Sequence, residues 1–190
     1  MTKFAQVAPD AFEKIQLNAG VLLTEFDPET GTIDRTKIFA QTGGGVSFAA
    51  NIEYIDFGED IDNVPVNTKE LKRIDSVTPV LSGTLRTVDS PVAKSLMAAA
   101  TVSGNKLTPT MTLTSTDFFD LWWVGDYSEV NTGEDAGFLA IKLINALSTG
   151  GFQLQSNDKG KGDFSFEYTG HYSIANIDVV PYELYVKGGE

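Results

Sequence analysis

The chain has 190 residues, 42% of them hydrophobic, with 18 glycines and 12 phenylalanines: enough apolar mass for one domain with a substantial core, and too much for a wholly disordered chain. Its formal charge of −12 and pI near 4.4 argue against a surface that grips nucleic-acid phosphates, which needs clustered lysine and arginine. With no cysteine and a single histidine, disulfides, thiolate nucleophiles and cysteine-ligated zinc are excluded, and no second histidine exists to share a metal.

Residues 1–19 read as an N-terminal arm, in which Pro9 to Lys14 can open a short helical turn capped by Asp10. The N-terminus lacks the basic-then-apolar order of a signal peptide, and no apolar run approaches the roughly 20 residues that span a bilayer. Synthesis is therefore expected to finish in the cytoplasm, with no membrane insertion by this chain. Gly20 to Phe26 reads as a first strand, stopped by the turn formers of Asp27-Pro28-Glu29-Thr30-Gly31. Thr32 to Ala40 is extended and ambiguous. Gly43-Gly44-Gly45 reads as a hinge or turn, since it lacks the lysine and following helix of a phosphate-binding loop. In the strand that follows, from Val46 to Phe57, Val46, Phe48, Ala50, Ile52 and Tyr54 alternate with Ser47, Ala49, Asn51 and Glu53.

Residues 57–75 are expected to form a long inter-strand loop. Asp56, Glu59, Asp60, Asp62 and Asn63 lack the spacing and terminal glutamate of a calcium loop, so a solvated loop is the better reading. Loops beyond about 12–15 residues are uncommon in compact domains and usually bind something or stay disordered. Acids at its start, with Lys69, Lys72 and Arg73 at its end, make this one electrically self-complementary, suited to docking on a second copy.

Asp75 to Val88 reads as a strand with Leu81 and Leu85 on one face and Ser82, Thr84 and Arg86 on the other. Asp89 or Ser90 then caps a helix over 90–103, with Pro91 at its first position and Val92, Leu96, Ala99 and Ala100 on one face; Leu96 and Met97 read as core. Leu107 to Thr116 is a threonine-rich strand. Phe118 to Tyr127 is an aromatic one, in which adjacent Trp122 and Trp123 must face opposite sides. After a loop over Ser128 to Asp135, residues 137–187 read as antiparallel strands. In Phe164 to Tyr172 every even position is aromatic or glycine and every odd position polar, so one face packs and the other stays wet. The lone His171, on the wet side, reads as an ordinary surface residue.

The fold class expected from these patterns is mainly β: an antiparallel sandwich or partly closed barrel, with one flanking helix, a long inter-strand loop and extended termini. No nucleophile–base pair, metal cage or cofactor motif is found, so the chain reads as a surface and not as an enzyme.

Several stretches carry a family resemblance. They are Ala140-Ile141-Lys142-Leu143-Ile144-Asn145 on to Gln155, Asp158-Lys159-Gly160-Lys161-Gly162-Asp163 on to Ser173, Arg73-Ile74-Asp75-Ser76-Val77-Thr78-Pro79, Thr84-Leu85 with the helix after it, and Trp122-Trp123-Val124-Gly125-Asp126. In this order, over roughly Val46 to Tyr185, the chain resembles the major tail proteins of long-tailed bacteriophages and prophages. The resemblance implies a structural virion protein, made in the bacterial host cytoplasm, that forms stacked hexameric rings. Their inner sheets would join into a tail tube through which DNA passes as non-specific cargo, with tail completion and tape-measure proteins as further partners. On that reading the lumen-facing positions are Ser47, Asn51, Glu53, Ser82, Thr84, Arg86, Gln153, Gln155, Ser165, Glu167 and Thr169, with Arg86 free to pair across a subunit boundary. Ring stacking falls to Glu59, Asp60, Asp62, Lys69, Lys72 and Arg73.

Three rivals stand beside it: a carbohydrate-binding or adhesion module with Trp122, Trp123 and Tyr127 as its platform; an enzyme using Asp117 and Asp120; and the tube protein of a contractile tail-like particle.

Overall fold

The computed structural model describes residues 6–8, 11, 15–126 and 137–188, so Asp10, Tyr127 and the loop expected over Ser128 to Asp135 lie outside the described residues. In chain order the elements are β1 (Leu17–Leu23), β2 (Ile38–Ala40), β3 (Thr42–Asp56), β4 (Lys72–Leu85), α1 (Ser90–Leu96), β5 (Ala100–Ser103), β6 (Lys106–Pro109), β7 (Phe119–Asp126), β8 (Phe138–Ser148), β9 (Gln153–Gln155), β10 (Asp163–Thr169) and β11 (Tyr182–Lys187). The protein is mainly β. A nine-stranded antiparallel sheet runs β2-β1-β7-β8-β10-β4-β3, with β11 added on β8 and β9 on β10, and β5 and β6 form a separate hairpin.

The large sheet folds over on itself like a sandwich and does not close into a barrel. Leu22, Leu121, Trp123, Ile141 and Leu143 from one half meet Leu81, Leu85, Phe166 and Tyr168 from the other in one buried cluster. The alternation in Phe164 to Thr169 generates this: Phe166 and Tyr168 are buried while Ser165 and Glu167 are exposed. Strand β8 links the halves. Its N-terminal part pairs with β7 and β11, and Leu147 and Ser148 pair with β10. The switch is made at Asn145, whose left-handed φ of 49° creates an irregularity between the Leu121–Leu143 and Phe119–Ala146 pairs. A second cluster on the outer face of the first half gathers Trp122, Val124, Phe138 and Ala140 under Phe26.

Helix α1 seals one side of the sandwich. Asp89 accepts a hydrogen bond from the Val92 amide at 2.9 Å and Pro91 sits in the first turn, as the sequence suggests. Val92 and Leu96 enter the core, Ser95 Oγ lies 2.7 Å from the Tyr168 hydroxyl, and Ser148 Oγ donates to the Leu96 carbonyl at 3.0 Å.

Several expected boundaries move. The helix expected over 90–103 stops at Leu96, because Ala98 turns to a positive φ of 61° and the β-branched Thr101 and Val102 go into the β5–β6 hairpin. Met97 is only half-buried. Of the threonine-rich strand, only Lys106–Pro109 pairs; further on, Thr114 and Asp117 close a capping box. The glycine run is not a hinge ahead of β3 but a bulge inside it, with the pairing register shifting between Thr42 and Val46 and positive φ at Gly44 and Gly45. At the other end of β3 and β4 the loop spans 57–71, since Lys72, Arg73 and Ile74 already pair with Asp56, Ile55 and Tyr54. Leu17 to Ala19, expected in the arm, belong to β1. His171 is half-buried, not a free surface residue: its ring meets Phe118 edge-on at 5.5 Å, and Nδ1 lies 3.2 Å from the Asn145 carbonyl.

Candidate functional site

Two surfaces carry the residues singled out from the sequence. The first is the β3–β4 hairpin, whose strands run well past the body. On the core-facing side, Phe48 is covered by Tyr182 at 5.4 Å, and the Tyr172 hydroxyl accepts a hydrogen bond from the Val77 amide at 2.9 Å. Beyond that point the same apolar row continues uncovered: Tyr54 is 54% exposed and its partner Ile74 61%. From Asn51 to Ile55 every residue of β3 is exposed, on both faces. The hairpin leaves the domain as a two-sided, wet ribbon carrying large apolar side chains.

Its tip is ordered by Asp56. One carboxylate oxygen accepts from the Gly58 amide at 2.9 Å and the other from the Asn67 amide, and these bonds hold its pKa below the ordinary carboxylate value. Asn63 and Asn67 take the left-handed turns, and Thr68 Oγ1 donates to the Pro65 carbonyl at 2.6 Å. Asp56 thus tethers its own loop; among the described residues no group of three or more His, Cys, Asp or Glu is placed to hold a metal ion. Glu59, Asp60 and Asp62 stand exposed, with no ion pair or hydrogen bond from their side chains to the described residues. Lys69 and Glu70 form a 3.9 Å pair in solvent. Lys72 and Arg73 sit not in the loop but on β4. There Lys72 Nζ lies 4.8 Å from the centre of the Tyr54 ring, and Arg73 Nη1 donates to the carbonyls of Glu70 and Lys72. Residue order could not show this, because the turn closes three residues earlier than the hydrophobic alternation resumes.

The second surface is the outer face of the β3–β4–β10–β9 layer. Ser47 lies opposite Ser82, which lies opposite Glu167; Thr84, Ser165 and Gln153 form a second row. Asn51 pairs with Thr78, Glu53 with Ser76, and Thr169 with Val80, all by the same parity, and Gln155 shares the side of Gln153. One face therefore carries all these candidates. It is polar more than acidic: Glu53 and Glu167 are the carboxylates among them, accepting from Ser76 Oγ at 3.2 Å and from Thr149 Oγ1 at 2.8 Å. Thr149, which also lies 2.9 Å from Thr169 Oγ1, is a member the sequence did not reveal, since it follows the end of β8. Arg86 lies just past β4 and is satisfied within the chain by an ion pair to Asp163, beside Gly43, where any larger side chain would collide with it.

The other candidate sites fare differently. Trp122 and Trp123 face opposite sides, as expected, but both are buried: Trp123 Nε1 donates to the Ala19 carbonyl at 3.0 Å, and Trp122 packs on Phe26 and Tyr185. A sugar platform loses two of its three rings. Asp117 and Asp120, for which the sequence offers no pocket, do line a cavity of about 340 Å³ with Phe39, Phe119 and Pro91. Each is already occupied: Asp117 by the Thr114 amide and Lys94, Asp120 by Lys142 at 3.1 Å and the Asn145 amide at 3.2 Å. The Thr114 amide holds Asp117 below the usual carboxylate range, the opposite of what a general acid needs. Among the described residues no helix is long and apolar enough to cross a membrane.

No family model and no curated protein matches the chain. Among solved structures it is similar to a chain from the virion of a native gene transfer agent particle, at 7% identity and a TM-score of 0.43, over 88% of this chain and 95% of that one.

Proposed function

We propose that this protein is a structural virion subunit that assembles, through copies of itself, into stacked hexameric rings forming a phage tail tube that conducts DNA. The observation that carries this reading is the β3–β4 hairpin: its distal half exposes Tyr54, Ile74 and Phe57, a surface that costs solubility in a lone copy and gains burial against a neighbour. The polar layer of β3, β4, β10 and β9 supplies the matching inner wall. The lumen candidates are hydroxyls, amides and two carboxylates, with Arg86 ion-paired to Asp163, a lining that offers phosphates little to grip and lets a duplex slide past. The protein performs no reaction in this role; tail completion and tape-measure proteins would meet the tube at its ends and in its lumen, and the finished subunit resides in the virion.

Sedimentation velocity over a concentration series tests the reading: it predicts growth from monomer to hexamer and larger species. A single monomeric boundary at every concentration contradicts it. The contractile-particle version of the same tube is separated by whether a sheath protein binds the assembled tube.

A further inference from the structure

The hairpin tip has a complementary counterpart at the other end of the same layer. Strand β4 runs away from the tip to Leu85, which pairs with Phe164 of β10, so the β9–β10 turn over 156–162 lies at the opposite pole. Beside that turn is an open groove of about 410 Å³ whose apolar lining comes from Val88, Ala93, Leu107, Phe152 and Phe164. Lys106 lies in sequence between the lining residues Asn105 and Leu107, and Lys159 and Lys161 stand on the β9–β10 turn; all three are exposed, with no ion pair or hydrogen bond from their side chains to the described residues. Of the acids nearby, Asp89 is committed to the helix cap and Asp158 alone is free. In a chain of net charge −12 this is a locally basic, apolar pole. The tip inverts the charge and keeps the apolar character: Glu59, Asp60 and Asp62 flank Ile61, which is 47% exposed.

We infer that this groove is the seat for the hairpin tip of a second copy, with Ile61 entering between Phe152, Phe164 and Leu107 while Glu59, Asp60 and Asp62 meet Lys106, Lys159 and Lys161. The inference rests on the tube reading for its direction of stacking. Because tip and groove lie at opposite poles, each copy offers both halves of the contact, and the contact propagates head to tail without closing. Like charges brought together at such a contact oppose it strongly, so the test is a reciprocal charge swap.

Two variants are compared with the parent chain by negative-stain microscopy and sedimentation: E59K/D60K/D62K and K106E/K159E/K161E. All six positions are exposed, and circular dichroism checks that both variants fold. Each alone should stack only at about tenfold or more higher concentration than the parent, or not at all, and an equimolar mixture should stack again. Variants that each stack like the parent, or a mixture that stays unstacked, overturn the groove. If the parent forms tubes and the variants do too, the groove fails and the tube reading survives. Discrete closed oligomers in the parent, with no stacks at any concentration, overturn the open head-to-tail contact along with the tube. A parent that stays monomeric at all concentrations overturns the groove, since its occupant is a second copy.

Discussion

Asn145 and His171 hold each other reciprocally: Asn145 Nδ2 donates to the His171 carbonyl at 3.1 Å, and His171 Nδ1 lies 3.2 Å from the Asn145 carbonyl. The pair pins the point where β8 leaves one half of the sandwich for the other. Asn145 pays for this position with a left-handed backbone, which asparagine tolerates better than alanine. Asn145→Ala should destabilise the fold by about 2 kcal/mol in urea denaturation, through the lost hydrogen bond and the backbone conformation together. Asn145→Gly loses only the hydrogen bond and should cost about half as much. Equal losses would contradict a conformational role.

Stability should fall at alkaline pH because of Tyr168. Burial raises its hydroxyl pKa above the ordinary 10.0, and the Ser95 hydrogen bond offsets this only in part. Above pH 10 the unfolded chain releases this proton while the folded chain keeps it, so the unfolded state binds fewer protons and stability falls as pH rises; below 10 the contribution is complete. Unfolding free energies taken between about pH 9 and 11 should decline less in Tyr168→Phe, by about 1.4 kcal/mol in total across that interval. Parallel declines would show that Tyr168 does not titrate in the unfolded state alone.

Arg86, Gly43 and Asp163 act as one unit. Since the ion pair is about a third exposed, Arg86→Ala should cost only about 1 kcal/mol. Gly43→Ala forces the guanidinium aside and should cost a similar amount, and the double variant should cost clearly less than the two single losses added. Strict additivity in a double-mutant cycle would separate Gly43 from the ion pair.

How much of this was legible in the sequence follows from where period-two alternation governs. Phe164 to Thr169 and Phe48 to Ile52 show it cleanly, so the antiparallel fold, the packed face and the polar face could be read from residue order. It fails where tertiary pairing overrides local signals. Gly43 to Gly45 look like a hinge but are held in β3 by β4; Ala99 and Ala100 look helical but follow the turn at Ala98 into a hairpin. Arg86 lies on the polar side by parity, yet its partner Asp163 comes from a strand far along the chain, which no spacing rule reveals. The hairpin's reach past the body was hidden for the same reason: residue order shows that Tyr54 and Ile74 are apolar, not that both stay more than half exposed.

The exposed row on the hairpin gives a direct separation of folding from assembly. Tyr54→Thr with Ile74→Thr shortens solvent-facing side chains, puts β-branched residues on the paired strands and should alter unfolding free energy by no more than about 1 kcal/mol per site. The same variant should fail to form the large species that sedimentation is expected to show for the parent. A variant that unfolds would show that the row packs within one chain, and one that assembles normally would remove the hairpin from the contact.

The central claim is that copies of this chain build a hollow conduit, and negative-stain electron microscopy of the purified protein across a concentration series tests it most directly. The account predicts six-fold rings end-on and tubes with a stain-filled lumen side-on, growing in number with concentration; featureless monomers throughout, or solid aggregates with no lumen, would contradict it.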